Sequence, residues 1–188
     1  LRSSGYFYER YGQPSLGKKV RSAISSWDYL NSGNNREVTY KEAMNLYDHI
    51  SASEGQLARG AKKMLKSAND QDLFSAQSLR RDFGLVAEGA WDTALDKIKD
   101  EDRAYATALL NRGVKLNTKP MIKLSTIHGS KGGEANNVLL YMDLTGKALE
   151  QMARNPDDAY RVLYVGITRT KENLVLKLPE DSQRGWLI

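Results

Sequence analysis

Apolar residues fall into helical spacing soon after the chain begins. Val20, Ala23, Ile24, Trp27 and Leu30 lie three or four apart and share one face, and Gly33 follows as a stop signal. Ahead of them, the aromatic-rich run Tyr6 to Tyr11 and the segment Gly12-Gln13-Pro14-Ser15 predict a strand ending in a turn. Thr39-Tyr40-Lys41-Glu42 is a capping box: the Thr hydroxyl accepts from a free amide of the first turn, and the Glu reaches back. Behind it Ala43, Leu46, Tyr47 and Ile50 form the apolar face of a second helix. Further helical patterns run from Leu57 to Leu65, Ser75 to Phe83, Trp91 to Ile98 and Asp102 to Leu110, and Gly113 is placed to end the last. No strand pattern is visible between Thr39 and Arg112, so this stretch is expected to be one helical block.

After Pro120 the texture changes. Ile122, Leu124 and Thr126 alternate with their neighbours as in a strand, and a polar, glycine-containing loop runs from His128 to Asn137. Val138 to Met142 reads as a buried strand, Leu144 to Arg154 and Asp157 to Ile167 as helices, and Asn173 to Leu178 as a closing strand. Strands alternating with helices predict an α/β sheet with parallel strands. The expected organisation is an α/β domain from residues 1–38 and 113–188, with a helical insertion over 39–112.

Composition narrows this only a little. The 188 residues hold no cysteine, which excludes disulfides and thiolate metal sites and fits a reducing, cytoplasmic setting. No apolar run reaches transmembrane length, and Leu1-Arg-Ser-Ser-Gly lacks the apolar core of a signal peptide, so no membrane partner is expected. The missing initiator Met suggests a fragment or a processed product. A net charge of +5 is compatible with a nucleic-acid partner but is modest and mixed along the chain.

Two segments carry candidate chemistry. The first is Thr126-Ile127-His128-Gly129-Ser130-Lys131-Gly132-Gly133-Glu134. A loop leaving a strand of an α/β sheet is a common ligand site, and adjacent glycines let backbone approach a phosphate or sugar. Glu134 could accept from ribose hydroxyls, and Thr126 and His128 could donate to a phosphodiester. The second is Arg161-Val162-Leu163-Tyr164-Val165-Gly166-Ile167-Thr168-Arg169-Thr170-Lys171, an apolar helix that ends in an arginine just before a strand. A guanidinium fixed there could pair with charge developing on a transferring phosphoryl group. Taken singly, the first also reads as a polar strand-to-helix loop, and the second as a surface arginine near the negative pole of a helix.

In this order and spacing, Thr-Ile-His-x-x-Lys-Gly-x-Glu, an apolar strand, Arg-x-Leu-Tyr-Val-x-x-Thr-Arg-x-Lys and then Leu-x-Leu closely resemble motifs V and VI of superfamily 1 helicases of the UvrD/Rep/PcrA type. The strong resemblance runs from Ile122 to Leu178. Tyr6 to Leu30 is more weakly similar to the family's segment after motif IV. The resemblance implies a RecA-like second motor domain of the P-loop NTPase type, with a largely parallel sheet, that closes on ATP and Mg2+ held mainly by an N-terminal motor domain. It implies that Arg169 is the arginine finger, that Arg161 helps link nucleotide and DNA sites, and that Gly132 and Glu134 lie near the nucleotide. Thr126 and His128 match positions on the single-stranded DNA backbone. Lys131, the lysine of the Lys-Gly-x-Glu core, adds charge to that loop. The all-helical block takes the place of the family's insertion.

The departures are Gly133 where Leu is common, Ala135 in place of an aromatic, and Thr170 in place of Ala, while Gly166 is a tolerated small residue. They fit a divergent branch, such as a phage-encoded one. Walker A and Walker B motifs are absent from these 188 residues. Phosphoryl transfer without the Walker lysine and a metal-holding carboxylate lacks its main charge stabilisation, so the fragment alone is expected to be inactive as an ATPase. Two other readings stand beside the helicase fragment: a non-catalytic remnant that binds DNA or protein, and an unrelated phosphate-binding α/β protein.

Elsewhere the plainer readings prevail. His49 reads as structural, since no second ligand stands at metal spacing. Trp27 reads as core, and Trp91 and Trp186 stay open. Arg59 to Lys66 and Arg80-Arg81 read as solvated helix faces rather than a phosphate track.

Overall fold

The computed structural model describes residues 1–33 and 35–186 and divides into two compact units, Leu1–Lys123 and Leu124–Ile188. Each has its own apolar cluster.

The first unit opens with a tight hairpin. Strand β1 (Tyr8–Arg10) pairs antiparallel with β2 (Gln13–Pro14), and Arg10 faces Gln13. The two residues between them, Tyr11 and Gly12, both have positive φ, 52° and 74°. That is the two-residue turn whose twist matches a hairpin, and glycine at its second position lowers the strain. Strand β5 (Ile122–Leu124) lies on the other side of β1. Helix α1 (Lys18–Asn31) buries Ala23, Ile24, Trp27 and Leu30, the face its spacing predicts.

A strand-then-helix unit occurs twice between Glu37 and Phe83. Strand β3 (Glu37–Thr39) leads into α2 (Tyr40–Asp48), and β4 (Leu73–Ser75) leads into α4 (Ala76–Phe83). The two strands pair antiparallel, with Val38 opposite Phe74. Each ends in the hydroxyl residue that caps the next helix, Thr39 with Glu42 and Ser75 with Ser78. The expectation of an uninterrupted helical block is therefore corrected at β4. Phe74 is the only buried residue of that three-residue strand, which leaves no period-two pattern to read.

Two predicted helices are also shorter than their patterns. Helix α3 spans only Ala61–Lys66, because Leu57 is engaged in an antiparallel bridge with Leu85. Helix α5 spans only Trp91–Ala94; Asp96 beyond it accepts the Ser51 amide at 2.7 Å. Helix α6 (Asp100–Asn111) follows with three acidic residues in its first turn, where they favour the positive pole. Phe7, Leu16 and Trp27 share one cluster with Leu46, Leu65, Leu79 and Leu109, so residues 1–38 pack with the helices of 39–112. Trp27 is fully buried and donates from Nε1 to the Gly89 carbonyl at 3.1 Å.

The second unit is built on two parallel strands, β6 (Ala135–Tyr141) and β7 (Thr170–Lys177). Helices α7 (Gly146–Arg154) and α8 (Pro156–Ile167) connect them. Val138 and Leu140 of β6 and Leu174 and Leu176 of β7 enter the cluster with Met142, Leu144, Leu163 and Trp186. Their alternate neighbours Leu139, Tyr141 and Val175 are exposed. The expectation of a wholly buried strand at Val138 to Met142 is corrected: within β6 only Leu140 is buried. The fold is mixed α/β with small sheets. A parallel pair is present, while β1–β2 and β3–β4 are antiparallel; the two-residue turn between β1 and β2 is too short for a crossover.

Candidate functional site

Six of the seven residues singled out from the sequence stand around one end of the second unit. Thr126 begins the loop. Its Oγ1 accepts from the Gly129 amide at 3.0 Å, and its carbonyl accepts from the Ser130 amide at 3.0 Å. These bonds close a turn of 3-10 helix over His128–Ser130. A side chain at position 129 would press on Ser125 Oγ at 2.7 Å and on Thr126 Oγ1 at 3.2 Å, so those hydroxyls would have to turn aside to admit it. The hydroxyl of Thr126 keeps its donor for another partner, because the cap uses it as an acceptor. His128 and Lys131 are exposed on the turn and just after it.

Gly132 takes φ +80°, the left-handed conformation that glycine enters without a Cβ penalty. Gly133 then returns its amide to the Ser130 carbonyl at 2.9 Å. Glu134 forms an ion pair with Lys171 at 3.1 Å. Both side chains are 55% exposed, so the pair adds little stability and can be exchanged for another partner. The partner role of Lys171 is not visible in the sequence. It follows from the parallel register, which sets Ala135 opposite Thr170.

Arg169 sits at the junction of α8 and β7. Its Nε donates to the Val165 carbonyl at 3.0 Å, its Nη2 to Thr168 Oγ1 at 3.1 Å, and its Nη1 to the Gly133 carbonyl at 3.3 Å. The Arg169 carbonyl in turn accepts the Ala135 amide at 2.9 Å. The guanidinium is thus fixed at the C-terminal, negative pole of α8 and against the glycine loop. Among the described residues it forms no ion pair with a carboxylate.

Arg161 is not part of this group. It lies eight residues earlier on α8, about 12 Å along the helix axis. It is largely exposed and contacts Asp158 at 3.4 Å. Gly166, between them, is buried where α8 presses closest on the strand side, with Ile127 and Leu140 side chains 3.3 Å from where a Cβ would stand. Among the described residues no group of three or more His, Asp or Glu side chains converges. His49 instead bonds through Nδ1 to the Asn45 carbonyl, at the end of its own helix.

Residues 92–180 match the family described as UvrD-like helicase C-terminal domain. The resemblance to the C-terminal region of a UvrD-type helicase is thereby met. No curated protein and no solved structure gives a match. The UvrD-like stretch takes in all seven candidate residues, together with α6, β5 and the whole α7–α8 connection. Among the described residues no helix is long and apolar enough to cross a membrane.

Proposed function

We propose that this chain is the second motor-domain part of an ATP-dependent DNA helicase, RecA-like in fold, that supplies one wall of an ATP site and part of a single-strand DNA track. In this reading residues 1–38 and 113–188 form the motor domain and 39–112 its insertion. Arg169 reaches the γ-phosphate of ATP bound with Mg2+ on an N-terminal motor domain. Gly132 and Glu134 approach the nucleotide, and Arg161 couples the nucleotide site to DNA. Thr126, His128 and Lys131 hold the DNA backbone. The protein would work in the cytoplasm, moving along single-stranded DNA as ATP closes the two motor domains and hydrolysis releases them.

One observation carries the reading: the Arg169 guanidinium lies 3.3 Å from the Gly133 carbonyl and pairs with no carboxylate among the described residues. A planar guanidinium held by neutral carbonyl and hydroxyl oxygens keeps its full positive charge for an incoming anion. On the loop, Lys131 and the donor hydroxyl of Thr126 suit the phosphodiester oxygens of the DNA strand. The phosphate end of ATP is assigned to Arg169. The metal would be held by carboxylates of the other motor domain.

The test is reconstitution. The chain alone, with single-stranded DNA, should release no phosphate above blank. Joined to a domain that supplies the Walker lysine and the Asp-Glu pair, it should turn over ATP and lose that turnover with Arg169→Ala. Turnover by the joined protein that ignores Arg169 sinks the proposal and leaves a binding remnant as the better reading.

A further inference from the structure

Helix α8 has a second functional-looking side that the arginine finger does not use. It buries Leu163 and Gly166. Away from them Asp157, Tyr160, Arg161 and Tyr164 line a shallow, open depression of about 340 Å³. Tyr164 is 68% exposed and Tyr160 46%. The Arg161 side chain is 79% exposed and its ion pair with Asp158 is long, 3.4 Å.

We infer that Tyr160, Arg161 and Tyr164 form a stacking platform for unpaired bases of a single nucleic-acid strand; this rests on the helicase reading and adds to it the residues that grip the bases. The two tyrosines are one helical turn apart, about 6 Å along the axis. Stacked bases of a duplex rise only about 3.4 Å per step, so the platform suits a strand whose bases have been drawn apart. Aromatic rings accept any base by its π-face, and a guanidinium beside them adds both a stacking plane and a charge for the phosphate. Asp157 repels phosphate at one end of the depression, and on the other side a phosphate would have to displace Asp158 from its ion pair with Arg161. Exposed tyrosines beside an arginine are also the composition of protein hot spots, so docking of the N-terminal motor domain is the competing outcome of the test. The platform also leads toward the glycine loop, since α8 ends at Ile167, within one turn of Tyr164, and Arg169 follows just beyond its cap.

The experiment uses the whole chain and a fluorescent dT oligonucleotide carrying 5-iodouracil. Photocrosslinking followed by peptide mapping should place adducts on Tyr160 or Tyr164. Equilibrium anisotropy should show Tyr164→Ala binding about 5- to 150-fold more weakly, the range for losing one stacked base. Tyr164→Phe, which keeps the ring, should bind as the wild type does. Both tyrosines are on the surface, and melting curves check that the variants fold. Adducts confined to the loop at His128 and Lys131, with Tyr160→Ala and Tyr164→Ala binding normally, overturn the platform and leave the helicase reading standing. No binding by the wild-type chain at any accessible concentration overturns both. Loss of association with the N-terminal motor domain in Tyr164→Ala, with oligonucleotide affinity unchanged, assigns the patch to that domain and overturns the platform.

Discussion

Arg169 and Gly133 are 36 residues apart in sequence, yet the Nη1 of the first donates to the carbonyl of the second at 3.3 Å. The contact ties the end of α8 to the loop that precedes β6. A movement of the loop would be felt by the guanidinium, and the reverse also holds. In the intact helicase that we propose, Arg169→Ala should lower ATP turnover about 10³- to 10⁵-fold, the range for an arginine finger. Single-strand affinity should change little, because DNA contacts are assigned to Thr126, His128 and Lys131. Arg169→Lys should not restore activity, since one ammonium cannot reproduce the fork that bonds Val165, Thr168 and Gly133 together. Steady-state phosphate release and oligonucleotide anisotropy separate the two effects; lost DNA binding with normal turnover would contradict the assignment.

His128 gives the complementary case. It is exposed on the 3-10 turn that Thr126 caps, so removing its ring should leave the turn intact. His128→Ala in the intact protein should weaken the stimulation of ATP turnover by DNA more than it weakens nucleotide binding. Titrating DNA at saturating ATP, and ATP without DNA, reads both quantities. A rise in the ATP requirement alone would reverse the roles of the two motifs.

Much of the site was legible because its parts are local. The Thr126 cap, the glycine turn and the helix ending at Arg169 are each written within a few residues. The α1 face and the Thr39 capping box were legible for the same reason. Non-local relations were not. The ion pair between Glu134 and Lys171 depends on the register of two strands joined through two helices. Strand β4 depends on β3, which stands about 35 residues earlier, and one buried Phe74 cannot announce it. The open face of β6, with Leu139 and Tyr141 exposed, also escaped, because an apolar run looks the same whether one side or both are covered. The packing of residues 1–38 with the helices of 39–112 is likewise a tertiary fact, carried by residues such as Leu16 and Trp27 whose own spacing reports only a helix or a turn.

Asp28 offers a pH test within the first unit. Asp28 faces solvent on one side, but partial desolvation by its neighbours raises its carboxyl above the ordinary value, and the negative charge of Asp92 adds to the effect. The folded chain therefore binds this proton more tightly than the unfolded chain does. The resulting stabilisation is complete below about pH 4, the unfolded value, and is lost as the pH rises through the higher folded value. Asp28→Asn removes the charge at every pH. Its melting temperature should exceed that of the wild type at pH 7, and the gap should close as the pH falls below about 4. A variant that melts lower at pH 7 would show that the Asp28 carboxylate is favourably engaged after all.

Thr39 tests the duplicated strand-and-helix unit. Its Oγ1 accepts from the Glu42 amide at 3.4 Å, while the Glu42 carboxylate accepts from the Thr39 amide at 2.9 Å. Thr39→Ala removes the hydroxyl, frees an amide of the first turn of α2 and should cost about 1 kcal/mol. Thr39→Ser keeps the acceptor and should lie close to the wild type. The same pair of substitutions cannot be made at Ser75, but Ser75→Ala should cost a similar amount at α4, where Ser75 and Ser78 exchange bonds of 3.0 and 3.1 Å. The two caps stand on adjacent paired strands, so their effects need not add. Urea unfolding of the two single variants and the double variant measures the coupling. A double variant that loses clearly more than the sum would mean that each cap helps hold the β3–β4 pair for the other; simple additivity would make them independent helix starts.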